Sequence, residues 1–250
     1  MAKQVIVEGH RGWRSAYPEN TLISYRAAIE LGVDAIEFDV WLSRDGVPVI
    51  MHDANTLRIT GHDGLITEQT LAELKALDAG SHKGAQFAGE RIPMLEEVLV
   101  LVRTLRPTLR LGVEIKDFRE EAVDRTVALL KQYGFFADCW FYCFNARIIR
   151  YIKETYGGRT MGYPDFQMKE FEPDSYRFYD ELGLDLRFVR SEIFPFYQAK
   201  GLPMHMYCAD TEEDVRMCLE RGASLITAND PVPLLRVLGR EIPEVPACNS

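Results

Sequence analysis

The most constraining feature of this sequence is its rhythm: short runs rich in β-branched or aromatic residues alternate with segments of helical period along the whole chain. That alternation marks repeated βα units around a parallel sheet, and the number of repeats decides whether the sheet closes. Strands are expected near Gln4–Gly9, Asp34–Leu42, Leu109–Lys116, Cys139–Phe144, Arg159–Tyr163, Asp185–Val189, Pro203–Cys208 and Ala223–Thr227. Helices are expected at Thr21–Leu31, Met94–Thr104, Glu120–Tyr133, Ala146–Tyr156, Pro173–Leu182, Ser191–Lys200, Thr211–Arg221 and Pro231–Leu238. Eight strands, each followed by a helix, fit an α/β architecture closed as a single (β/α)8 TIM barrel better than an open doubly wound sheet. A G-x-G-x-x-G signature follows none of these strands, which removes the main sequence argument for a dinucleotide-binding enzyme.

Length and composition agree with one large domain: 250 residues, 47% hydrophobic and 27% charged, can bury a sizeable core without disulfide staples. The formal charge of -9 argues against a nucleic-acid surface or an anionic-membrane surface, either of which needs a net basic face. Five cysteines, odd in number and without a Cys-x-x-Cys pair, read as thiols in a reducing compartment. Met1-Ala2-Lys3 runs straight into Gln4-Val5-Ile6-Val7, which is too short for the apolar core of a signal peptide. With no stretch long enough to span a bilayer, a cytoplasmic location and no stable membrane insertion are expected.

One connection is out of proportion. Strand two and its helix are separated by about fifty residues, where a βα loop usually takes two to six. The excess, roughly residues 53–91, contains Thr67-Glu68-Gln69-Thr70 leading into Leu71, Leu74 and Leu77, which reads as a capped helix. An excursion at the catalytic face of a barrel shapes access to the site, so this segment is expected to be a lid or specificity insert.

On a barrel strand every second residue points inward. In strand two, Ile36, Phe38 and Val40 suit the helix-facing side, which turns Glu37 and Asp39 towards the axis. In strand three, Val113 and Ile115 take the outer face and Glu114 and Lys116 the inner one. Confined carboxylates repel unless a cation holds them, so three of them near strand ends form a cradle for a divalent metal. All-oxygen ligands favour Mg²⁺ or Ca²⁺ over zinc. Any one of these carboxylates alone could be a solvated rim charge or be paired with a base, as Glu114 could be with Lys116; three facing inward together make that account weaker.

His10 ends strand one, where a barrel places its working residues. His52 follows Asp45-Gly46, a two-residue hairpin signal; with those two residues as the turn, Arg44 faces Val47 and His52 is folded back opposite Asp39. Two imidazoles around a metal-bound phosphate can act as general base and general acid. Either histidine alone would read as a packing residue, and that is the reading kept for His62, His82 and His205.

Taken in order, His10-Arg11-Gly12, Pro18-Glu19-Asn20-Thr21, Ile36-Glu37-Phe38-Asp39-Val40, Asp45-Gly46, His52-Asp53, Val113-Glu114-Ile115-Lys116 and Ile226-Thr227-Ala228-Asn229-Asp230-Pro231 resemble the glycerophosphodiester phosphodiesterase family. The resemblance runs over nearly the whole chain, with the excursion where that family carries its small insertion. It implies Glu37, Asp39 and Glu114 as ligands of Mg²⁺ or Ca²⁺, His10 and His52 as the acid–base pair, and Arg11 and Lys116 as phosphate-holding residues. The implied substrate is a small-molecule glycerophosphodiester, cleaved to glycerol 3-phosphate and an alcohol. Asn20 reads as the N-cap of the first helix, and Asp53 as a residue that orients a neighbour.

The sequence also departs from the family. Where Trp-Thr-Val-Asn is common after strand seven, this chain has Tyr207-Cys208-Ala209-Asp210, so Tyr207 is the expected substrate-facing aromatic. The loop Trp13–Tyr17 is bulkier than the small residues common there and is expected to narrow the pocket. Glu8 shares the inward face of strand one with His10 and is expected to pair with His205. Two rival readings remain: the same site acting on a lysophospholipid, and a barrel that binds a phosphate ester without turning it over.

Overall fold

A computed structural model describes residues 5–243. Gln4, with which the first strand was expected to begin, the N-terminal Met1-Ala2-Lys3 and the fifth cysteine, Cys248, lie outside that range. Eight parallel strands close on themselves: β1 (Ile6–Gly9), β2 (Ala35–Leu42), β4 (Arg110–Ile115), β5 (Cys139–Tyr142), β6 (Arg159–Gly162), β7 (Glu181–Asp185), β8 (Met204–Tyr207) and β9 (Ala223–Ala228). β1 pairs with both β2 and β9, which joins the last strand to the first. A short antiparallel strand, β3 (Pro48–Ile50), doubles back along β2.

The helices are α1 (Leu22–Leu31), α2 (Leu57–Thr60), α3 (Leu71–Ala76), α4 (Leu95–Leu105), α5 (Glu120–Tyr133), α6 (Ala146–Tyr156), α7 (Leu186–Val189), α8 (Phe194–Gln198), α9 (Glu212–Glu220) and α10 (Pro231–Val237). Their starts follow from local chemistry: Thr21, Thr70, Asn145, Thr211 and Asp230 each accept a hydrogen bond from a first-turn N–H. The main core lies between strands and helices, where the outward-facing Ile36, Phe38, Val40, Val113 and Ile115 are fully buried. Burial of that apolar surface is what turns the alternate residues inward, so the hydrophobic layer sets the orientation of the polar one. Among the described residues no helix is long and apolar enough to cross a membrane.

Three expectations are corrected. The sixth barrel strand is Glu181–Asp185, not Asp185–Val189, and the segment expected to be strand forms α7 instead. Asp185 accepts from Arg187 N at 2.8 Å and so starts a helix where β-branched content suggested a strand. The helix expected at Pro173–Leu182 is only a single 3₁₀ turn, Ser175–Phe178. Gly183 hides the true strand from a propensity reading, yet it is needed there, since a Cβ would stand 2.8 Å from the Tyr163 ring.

The third correction concerns the hairpin. Val40 faces Ile50 and Leu42 faces Pro48, so Asp39 stands opposite Met51 rather than His52. The loop has three residues, with Gly46 at φ 76°, and the extra residue shifts the register by one. His52 therefore lies one residue further on and leaves the end of the ladder.

Residues 53–91 pack beside the barrel around a small core of their own, in which Ile59, Ile66, Leu74 and Ala79 meet Val49, Met51 and Ile92. The helix in this segment begins at Thr70, whose side chain and Glu73 cap it reciprocally.

Candidate active site

The C-terminal mouth of the barrel holds a cavity of about 160 Å³ lined by Glu8, His10, Arg11, Glu37, His52, Glu114, Lys116, Tyr142, Phe144, Met161, Tyr163, His205, Tyr207 and Thr227. Asp39, fully buried, lies among them rather than on the surface of the cavity. Ligand oxygens of Glu37, Asp39 and Glu114 lie within 4.8 Å of one another. In-register pairing of β2 with β4 sets Asp39 beside Glu114 and makes this convergence a property of the sheet. A larger cavity of about 630 Å³ opens at the opposite mouth, around Arg110, Trp140 and Arg159, and contains none of these groups.

Two cations sit among the three carboxylates. Lys116 Nζ is 2.5 Å from Glu114 Oε1 and 3.2 Å from Asp39 Oδ1. Arg11 Nε is 3.4 Å from Asp39 Oδ2, and its backbone N–H donates to Glu37 Oε2 at 2.9 Å. Burial, then the nearby Asp39 and Glu114 charges, holds the Glu37 carboxyl well above the usual range. Burial also raises Glu114, with Lys116 opposing it. Asp39 goes the other way: burial would raise it, but Lys116 and Arg11 hold it below the usual range. Glu37 Oε1 is buried without a hydrogen-bond partner. A crowded acidic trio with an orphaned oxygen and one excess negative charge fits a hard divalent cation.

Both histidines are oriented through Nδ1. His10 Nδ1 is 2.7 Å from Asn229 Oδ1, and Asn229 in turn donates its Nδ2 to Asp210 Oδ2 at 2.6 Å. A carboxylate can only accept, so the Asn229 amide oxygen must face His10, the hydrogen sits on Nδ1, and Nε2 is left free, 3.9 Å from Glu37 Oε2. His52 Nδ1 lies 2.6 Å from Asp53 Oδ1, so the same reasoning frees its Nε2. Burial first, then Arg11, lowers His10 to about 3, and burial also lowers His52.

The walls are aromatic. Phe144 and Tyr163 stack with centroids 3.6 Å apart, and Tyr207 meets Tyr163 edge-on at 5.8 Å. Beneath them, Glu8 accepts from Tyr142 Oη at 2.9 Å and from Thr227 Oγ1 at 2.7 Å. His205 Nε2 lies 3.4 Å from Glu8 Oε2, but the Thr227 hydroxyl is the closer partner of both.

Asn20 is not the helix cap; Thr21 is. Asn20 sits at φ 57° and donates to Asp39 Oδ2 at 2.8 Å, while accepting from Tyr25 Oη at 2.7 Å. The left-handed backbone turns its amide inward, a placement that sequence reading missed. Also missed were Asn229, Asp210, Phe144 and Tyr163. Strand parity would have found the two aromatics, since Phe144 continues the inward series of Trp140 and Tyr142, and Tyr163 that of Met161. No residue of 54–91 lines the cavity, so the expected lid lies to one side of it.

Comparison with known proteins places this geometry among relatives. The profile of the glycerophosphoryl diester phosphodiesterase family matches residues 10–232. A glycerophosphodiester phosphodiesterase of Caldanaerobacter subterraneus subsp. tengcongensis is 30% identical over 249 residues, 94% of this chain and 98% of that one. The structure of an Oleispira antarctica phosphodiesterase in complex with the product sn-glycerol-3-phosphate superposes with a TM-score of 0.84 at 28% identity, covering 94% of this chain and 96% of that one. A glycerophosphodiester phosphodiesterase from Agrobacterium tumefaciens, at 22% identity and a TM-score of 0.78 over 94% of this chain and all of that one, shares the fold.

Proposed function

The chain belongs to the glycerophosphoryl diester phosphodiesterase family, and from that premise we propose that it hydrolyses glycerophosphodiesters to glycerol 3-phosphate and an alcohol with a divalent metal and two histidines. As a member of that family it is a phosphoric diester hydrolase. The observation that carries the finer reading is the meeting of three carboxylates, two cations and two imidazoles with free Nε2 atoms at one cavity.

In this reading Glu37, Asp39 and Glu114 hold Mg²⁺ or Ca²⁺. When bound, the ion supplies Lewis acidity and reverses the sign of the site from one excess negative charge to one excess positive charge, which suits a monoanionic diester. Arg11 and Lys116 hold the non-bridging oxygens and stabilise charge as it develops there. A hydroxyl, either of water or of the substrate's own glycerol with water then opening the cyclic phosphate, forms the new O–P bond and gives its proton to one imidazole. The bond to the departing alcohol breaks, and the other imidazole delivers a proton to its oxygen. The imidazole that acts as acid takes up its proton from solvent as the anionic diester binds.

Tyr207, Tyr163 and Phe144 offer apolar faces to the carbon atoms of glycerol. At about 160 Å³ the cavity is smaller than the ~300–1,000 Å³ typical of drug-sized ligands, which supports a glycerophosphate-sized group over an acyl chain. The test is release of glycerol 3-phosphate from glycerophosphocholine with added Mg²⁺ or Ca²⁺. Turnover is expected to vanish with a chelator and to fall about 10²- to 10⁴-fold in His10→Ala or His52→Ala. Full turnover by the double variant would refute the acid–base roles.

A further inference from the structure

Arg58 lines none of the cavity, yet it contacts the carboxylates that stand behind two of the side chains that do, His52 and Arg11. It sits on α2, in the insert beside the barrel, with its side chain 46% exposed. Nε donates to Asp53 Oδ2 at 2.5 Å, and the other oxygen of that carboxylate is 2.6 Å from His52 Nδ1. Nη2 and Nη1 donate to Glu19 Oε1 and Oε2 at 2.8 and 3.2 Å. Glu19 Oε1 also accepts from Arg11 Nη1 at 2.7 Å. One guanidinium thus ties the carboxylate behind His52 to the carboxylate behind Arg11.

We infer that Arg58 is a positioning residue for the phosphodiesterase reaction, holding the His52 imidazole and the Arg11 guanidinium in one frame. The inference rests on the functional reading given above. Three features favour it over an incidental surface ion pair. Glu19 is buried and held down to about 2: burial works to raise it, while Arg58 first and then Arg11 and Arg14 lower it, so its charge is constrained on every side. Both oxygens of Asp53 are engaged, one by each neighbour, which leaves the carboxylate no freedom to turn away from His52. The contact pattern also needs a planar fork with donors in three directions, which arginine has and lysine lacks. The insert would then act on catalysis by bracing the site from outside rather than by covering it.

The experiment compares Arg58→Ala and Arg58→Lys with the full-length parent in two readouts. The first is kcat and KM for glycerophosphocholine with Mg²⁺. The second needs no substrate: the downfield proton signal of His52 Nδ1–H, identified by its loss in His52→Ala. Arg58→Ala is expected to lose about 10- to 100-fold in kcat/KM, the range seen when outer partners of a site are removed. Its melting midpoint should fall only modestly, because Arg11 and Arg14 still pair with the buried Glu19. Its Nδ1–H signal should broaden or shift as Asp53 is released. Arg58→Lys is expected to recover only part of both.

Activity of Arg58→Ala within about twofold of the parent, or an unaltered Nδ1–H signal, overturns the inference. Should Arg58→Ala not fold, Arg58→Lys decides on the same criteria. A parent that fails to cleave the diester while the signal still responds to Arg58 counts against the functional reading and leaves the frame standing.

Discussion

Replacing Glu37 with glutamine separates what the acidic trio does for the metal from what it costs the fold. Ligand oxygens of Glu37, Asp39 and Glu114 lie within 4.8 Å of one another, and Glu37 is 3% exposed. Two unit charges at that separation repel by about 3.5 kcal/mol at an effective dielectric constant of ~20. Glu37 has two such neighbours, and Arg11 and Lys116 offset much of the repulsion, so glutamine relieves on the order of 1–3 kcal/mol. The amide keeps the hydrogen bond from Arg11 N and the volume of the side chain.

The sign follows from the raised carboxyl of Glu37. Below about pH 4 it is protonated in both folded and unfolded chains, and the variant gains nothing. As pH rises, the unfolded chain releases its proton first and the folded chain is penalised, so the difference is present at neutral pH. Differential scanning calorimetry in chelator at pH 7 should therefore show Glu37→Gln melting about 3–10 °C above the parent, with the gap closing in acid. Added Mg²⁺ or Ca²⁺ should protect the parent more than the variant. A variant that melts lower than the parent in chelator, or that gains as much from the metal, would refute the reasoning.

Two further outcomes follow from single contacts. Asn229→Ala removes the acceptor that keeps hydrogen on His10 Nδ1, and kcat on glycerophosphocholine should fall about 10- to 100-fold with KM little changed; unchanged kcat in a folded variant counts against the tautomer argument. Gly112→Ala places a Cβ 2.5 Å from Glu8 Oε1 and 2.6 Å from Tyr142 Cε2, so urea melts should show a loss of about 1–3 kcal/mol; an unaltered midpoint would mean that the layer beneath the site yields easily.

Where the sequence was legible, the signal was local. Parity in β2 and β4 put Glu37, Asp39, Glu114 and Lys116 on one face because Ile36, Phe38, Val40, Val113 and Ile115 had to be buried on the other. Where it was not legible, a local cue had a competitor. Asp45-Gly46 suggested a two-residue turn, but Gly46 closes a three-residue loop and moves the register of His52 by one. Asn20 stood next to a helix and looked like its cap, while the neighbouring Thr21 filled that role and freed Asn20 for Asp39. Gly183 and the cap at Asp185 concealed β7, since a strand that must admit the Tyr163 ring cannot carry the bulky residues by which strands are recognised.

By itself the sequence determined the barrel and the inward set of charges, because hydrophobic periodicity acts through neighbours two to four residues apart and needs no knowledge of the rest of the chain. Tertiary structure alone decided how those charges are held. The Asn229 contact with His10 spans 219 residues and exists because β9 closes against β1. The Arg58 contact with Glu19 spans 39 residues and exists because the insert folds on its own small core against the barrel wall. Such contacts join side chains of ordinary type at no fixed spacing, so only the folded chain brings them within hydrogen-bond reach.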